Sequence, residues 1–191
     1  MILAILQTIV ATSVLTANPA ATDSVPPATV IVSAAAAPAH DTPEVHRLRL
    51  YHTHTDETLD IVYREGEEYV PEAIDQLDYF LRDHRTGDVH HFDPRLYDLL
   101  SDLTASLGRP DVRIDVVCGY RTPQSNAYLR RRSRRVARHS LHMEAEAIDI
   151  RVPGVSTKQL QLAALSLHRG GVGYYRRSQF VHVDVGPIRR W

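Results

Sequence analysis

Cysteine is almost missing from this chain: Cys118 is the only one in 191 residues. An internal disulfide is therefore excluded, and so is a structural metal site built from several thiolates. Cys118 ends the apolar run Ile114-Asp-Val-Val-Cys118 and reads as a small buried hydrophobe rather than a reactive thiol. Net charge is nearly absent too, at -1, which leaves no chain-wide basic field to hold nucleic acid. Of the 22 basic residues only Lys158 is lysine, a compositional bias. No internal repeat occurs, and no basic residue precedes Arg47.

What is present divides at about residue 44. Residues 1–44 begin with an apolar segment, Met1 to Leu15, and continue as a linker rich in Ala, Pro, Thr and Val. The segment is too short for a membrane span but suits the apolar core of an export signal, although the basic residues that usually precede such a core are missing. Export to the periplasm or cell envelope is expected, with cleavage near Ala20 or Ala21. Residues 45–191 are 147 positions with regular patterning, enough for one domain with its own core.

Within that domain Arg47–Tyr51 and Thr58–Tyr63 alternate like the strands of a hairpin. Pro71 opens a helix. Asp93-Pro94 opens another, whose stripe Leu96, Leu99, Leu100, Leu103 and Leu107 stops at Gly108. Val112–Cys118 reads as a buried strand, followed by a helix capped by Thr122 that carries the arginine run 130–135 and Arg138. That run is a solvated face with a peripheral attraction to an anionic wall or membrane surface; no aromatic platform accompanies it, so nucleic acid is not expected. Ser156-Thr-Lys-Gln159 is a capping box, and residues 171–175 and 180–185 form a closing hairpin. The fold class expected is α+β, with a mostly antiparallel central sheet, helices packed to one side and the metal site on the open face of the sheet.

The chemistry is concentrated in two extended segments. In Ala147-Ile-Asp149-Ile-Arg151 alternation turns Ile148 and Ile150 to the core and Asp149 away from it. In Phe180-Val-His182-Val-Asp184 it turns Val181 and Val183 inward and puts His182 and Asp184 together on the opposite side. His142 lies one short turn before the Asp149 strand. Two imidazoles and one carboxylate that converge, with a fourth position left for water, form the catalytic arrangement of zinc. His52 and His54 share a strand face but bring no third ligand, and His84, His90 and His91 read as loop histidines.

Ser140-x-His142, Ala147-x-Asp149 and His182-x-Asp184, supported by Cys118-Gly-Tyr-Arg121-Thr-Pro-Gln-Ser-Asn126, Gly170-Gly-Val-Gly-Tyr-Tyr175 and Arg189-Arg-Trp191, resemble the zinc D-Ala-D-Ala peptidase superfamily. Within it they resemble the MepK-like murein endopeptidases. The resemblance implies a zinc ion (Zn2+) on His142, Asp149 and His182, peptidoglycan as partner, and hydrolysis of cross-links between stem peptides. It further implies that Arg121 faces the oxyanion or a substrate carboxylate and that Ser140 binds substrate. Two other activities fit the same residues: a D-Ala-D-Ala carboxypeptidase or dipeptidase, and a zinc- or wall-binding module without catalysis. The family's usual proton acceptors are replaced here by Gln179 and Phe180. Asp184 is the nominee for that role, or else it orients a ligand imidazole; Glu144 and His139 stand behind it. Ala145 occupies a position where the family has glycine, and a positive φ there would strain alanine by about 1 kcal/mol.

Overall fold

The structure, a computed structural model, describes residues 44–134 and 136–191. The expected export signal and linker lie outside the described residues.

Among the described residues eight strands form one sheet. They are β1 (Val45–His52), β2 (Thr58–Glu65), β3 (Glu68–Tyr69), β4 (Ile114–Cys118), β5 (Ala147–Arg151), β6 (Gly171–Tyr175), β7 (Phe180–Asp184) and β8 (Arg189–Arg190). Their order is β3-β2-β1-β4-β5-β7-β6-β8. The helices are α1 (Pro71–Phe80), α2 (Arg95–Ser106), α3 (Pro123–Arg132) and α4 (Thr157–Ser166).

The α+β class holds, but the sheet is mixed rather than mostly antiparallel. β1 pairs in parallel with β4, and β6 with β8. Alternation cannot distinguish the two directions. A parallel partner needs a long crossover, and the stretch between β1 and β4, holding β2, β3, α1 and α2, provides one.

One face of the sheet is the core. Leu48, Leu50, Ile114, Val116, Ile148, Ile150, Val181 and Val183 join α1, α2 and α4 through Leu77, Leu96, Leu100, Leu103 and Leu160 in a single buried cluster. α3 behaves differently, burying only Ser125 and Asn126. It also ends at Arg132, so Arg138 lies beyond the helix expected to carry it. At the start of α2, Pro94 rather than Asp93 is the capping residue. The Asp93 carboxylate nevertheless accepts the Arg95 amide at 2.9 Å, so an acidic side chain still satisfies a first-turn donor. The capping box of α4 forms as expected, with both Ser156 and Gln159 bonds present.

The opposite face is not open where the expected ligands stand. His142, Asp149 and His182 are 3%, 6% and 7% exposed, so the site is a buried floor rather than a surface.

Candidate metal centre

β5 and β7 pair antiparallel with Asp149 directly across from His182 and Ala147 across from Asp184. Opposed residues on one face are the closest side-chain neighbours in a sheet, which is why two segments far apart in sequence meet here. His142 arrives from a short 3-10 turn, Leu141–Met143, just ahead of β5. That turn is closed through Ala145, whose φ of 53° is positive and whose side chain is fully buried. The strain anticipated for alanine therefore applies, on the order of 1 kcal/mol, and the surrounding core maintains the conformation.

The three donor atoms form a small triangle. His142 Nε2 lies 3.3 Å from Asp149 Oδ1 and 3.2 Å from His182 Nδ1, and the Asp149 Oδ1 to His182 Nδ1 distance is 2.9 Å. Donors bound at about 2.0–2.1 Å to one tetrahedral ion stand about 3.3 Å apart, so the triangle fits a single zinc-sized ion.

Both imidazoles are fixed from behind. His142 Nδ1 donates to the Gly119 carbonyl at 2.8 Å, which leaves Nε2 as the lone-pair nitrogen facing the triangle. His182 Nε2 donates to Asp184 Oδ2 at 3.0 Å, which frees Nδ1 in the same way. Asp184 is itself fully buried and saturated. Its oxygens accept from the Gly171 and Gly186 amides and from Arg189, whose Nη2 approaches to 2.7 Å. A side chain at position 171 would overlap that carboxylate, so glycine is required there. Burial alone would push the Asp184 carboxyl up, but the bonds from His182 and Gly171 and the charge of Arg189 outweigh it and hold it below the ordinary range. Burial acts the same way on Asp149 and is overcome by the two imidazoles, chiefly His142. His142 is the counterpart: burial opposes its charge, yet Asp149 and the nearby Cys118 keep its pKa raised.

Arg121 lies on the rim. Its amide donates to the His142 carbonyl at 3.0 Å, tying the two segments together. Its Nη2 reaches Cys118 Sγ at 3.3 Å and stands 4.0 Å from Asp149 Oδ2, while its buried Nε has no hydrogen-bond partner. The start of α3 that positions this arginine is anchored by Asp83, which takes both the Thr122 amide and hydroxyl at 2.8 and 2.9 Å. Ser140 makes no side-chain capping bond to its turn and, like His139, lines the cavity above the triangle; Glu144 does not.

That cavity is about 540 Å³. Tyr175, Phe180 and Trp191 form one wall, with Trp191 laid so close over Gly173 that any side chain there would collide with it. His54, His84 and Arg85 form part of another. Arg85, Arg121 and Arg189 all line it, and Asp149 is the one acidic residue among the described residues that do, so the interior favours an anionic ligand.

Sequence reasoning missed Cys118. Strict alternation from Ile114 and Val116 sends it to the core, but the register slips between Val116 and Cys118, and Cys118 faces Asp149 instead. The extra residue is a β-bulge, which turns the next side chain onto the other face. Cys118 Sγ then lies with the His142 and Asp149 donors inside a 4.8 Å cluster. Asp83, and the pairing of Arg189 with Asp184, were also invisible, since nothing local in the sequence marks a buried partner.

Residues 40–191 match the protein family described as peptidoglycan L,D-endopeptidase MepK. The chain is 41% identical over 150 residues to a Haemophilus influenzae protein named a probable peptidoglycan L,D-endopeptidase MepK, covering 78% of this chain and 81% of that one. It is 39% identical over 150 residues to the peptidoglycan L,D-endopeptidase MepK of Escherichia coli K12, covering 78% and 82%, and matches the Shigella flexneri protein of the same name to the same extent.

Proposed function

This chain belongs to the peptidoglycan L,D-endopeptidase MepK family, and we propose that it is a zinc-dependent murein endopeptidase that hydrolyses amide cross-links between stem peptides of peptidoglycan. The observation that carries the reading is the triangle of His142 Nε2, Asp149 Oδ1 and His182 Nδ1, with sides of 2.9 to 3.3 Å. Two neutral imidazoles and one carboxylate are a donor set suited to zinc. An ion held there supplies Lewis-acid polarisation of the scissile carbonyl and activates water near neutral pH.

The protein's own groups do the rest. Arg121, with a buried Nε that has no partner, holds a substrate carboxylate or the developing negative charge; guanidinium suits either because it binds two oxygens at once. Ser140 binds substrate at the cavity wall. Asp184 orients His182 rather than taking a proton, because its oxygens are already filled by Arg189, two amides and His182. Of the remaining proton acceptors His139 lines the cavity, and the role falls to it. The arginine-rich interior suits a peptide bearing free carboxylates. Action on peptidoglycan requires an exported protein, and residues 1–44 are proposed to supply the export signal and a linker. Among the described residues no helix is long and apolar enough to cross a membrane.

Incubation with cross-linked muropeptides, with and without chelator, tests the function. Chelator-sensitive conversion of dimers to monomers is the expected result. Release of D-Ala alone would replace it with a carboxypeptidase, and no chelator-sensitive change would leave a non-catalytic module.

A further inference from the structure

We propose that Cys118 is a fourth protein donor of this metal centre, so that in the substrate-free protein its sulfur binds the same ion as His142, Asp149 and His182. The inference rests on the metal-centre reading above and adds to it a closed resting state.

Three observations lead to it. The bulge in β4 places Cys118 opposite Asp149, which is opposite His182, which is opposite Gly173. The four residues form one row across four strands, with sulfur, carboxylate and imidazole side by side on one face. Second, Sγ lies within 4.8 Å of both the His142 and Asp149 donor atoms. Sulfur bound at about 2.3 Å and nitrogen at about 2.0 Å on a tetrahedral ion are separated by about 3.5 Å, so a movement of about an ångström brings Sγ to bonding distance of an ion shared with His142 and Asp149, the two ligands it already neighbours. Third, Cys118 is 6% exposed and its sulfur is turned toward polar partners rather than the apolar core: Arg121 Nη2 donates to it, and the thiol donates to the Gly119 carbonyl. A cysteine serving as a small hydrophobe would have no need of the bulge.

Ligation replaces the S–H bond by a sulfur–metal bond, and the proton leaves to solvent. Four protein donors close the coordination shell, the arrangement found in structural rather than catalytic zinc sites. Opening it requires the sulfur to leave, and Arg121 is placed for that exchange because it contacts Sγ and lies 4.0 Å from Asp149. A substrate oxygen that engages the guanidinium therefore competes with the sulfur for the same group.

Cobalt substitution tests this directly. The purified protein, stripped with chelator and given one equivalent of Co2+, is expected to show visible d–d bands together with a near-ultraviolet thiolate-to-cobalt charge-transfer band. Cys118 is the chain's only cysteine, so the band has one source, and wild type alone decides the matter if Cys118→Ser does not fold. In a folded Cys118→Ser the visible bands should persist and the charge-transfer band vanish, with zinc affinity against a competing chelator at least about tenfold weaker. Bound cobalt with d–d bands but no thiolate band overturns the proposal and leaves the three-ligand centre standing. Unchanged zinc affinity in Cys118→Ser also overturns it. Failure to bind cobalt at all would bring down the metal-centre reading, and this inference with it.

Discussion

The protein contains two groups of histidines a short distance apart, and they behave in opposite ways. His142 and His182 meet around Asp149, with Asp184 behind them. His52, His54 and His84 share no carboxylate among the described residues, Glu57 and Asp83 acting on them only through their charge: the His54 and His84 rings stack at 4.1 Å, and His52 packs edge-on to Phe80. In the first group burial opposes the charge of His142, but Asp149 and the nearby Cys118 outweigh it and raise its pKa, a proton that a bound cation would displace. In the second, burial and neighbouring cationic groups push His52 and His84 down to about 4. The first group also has each rear nitrogen assigned to an acceptor, whereas His52 Nε2 is buried with no partner. Proximity of imidazoles is thus insufficient for a metal centre. A carboxylate among the donors and acceptors behind the rings distinguish the two groups.

Removing the carboxylate from the first group should have the largest effect. Asp149→Ala is expected to lose the metal outright by elemental analysis and to lose more than the ~100-fold in activity that removal of an outer partner costs. Retained metal would erase the distinction between the groups.

Next comes the support behind the ring. Asp184→Asn should weaken zinc affinity about 10–100-fold, because the His182 tautomer is no longer enforced. Full metal content with lost turnover would instead make Asp184 the proton acceptor.

The second group should announce itself in acid. An imidazole with a folded pKa of about 4 for His52, against 6.5 when exposed, binds fewer protons folded than unfolded between those values. Its contribution to stability is complete above about pH 6.5 and is lost as pH falls toward 4, by up to about 3 kcal/mol. Urea midpoints for wild type and His52→Leu across that window should diverge accordingly, and parallel curves would refute the assignment.

The smallest effect is expected at exposed His54. His54→Ala should leave metal content intact and stability within about 0.5 kcal/mol, by elemental analysis and thermal melting. Loss of metal would mean the two groups cooperate.

The same comparison explains what sequence can reveal. Asp149, His182 and Asp184 could be placed on one face because β5 and β7 keep strict alternation through the site. Cys118 could not, because a single extra residue in β4 reverses its direction and no residue type announces a bulge. Ala145 was readable as a strained position because alanine replaces a residue that tolerates positive φ. The sheet's direction was not: β1 and β4 are joined across two helices and two strands, and period-2 patterning is identical in parallel and antiparallel pairs. The buried floor was read as an open face because burial depends on what covers a strand, here α3, the turn holding His142 and the Trp191 wall, and all of these come from outside β5 and β7.

That parallel junction also orders the birth of the molecule. β4, β5, β6 and β7 lie in the last 78 residues and pair with one another, so the sheet region holding Cys118, Asp149 and His182 can assemble from chain that emerges late and together. β1 pairs early with β2, but its other edge waits for β4, and closing so long a loop is slow. In the interval an unpaired strand edge beside Leu48 and Leu50 is open to association with other chains, so the hazard during refolding lies at β1, which only β4 separates from the strand that carries Asp149.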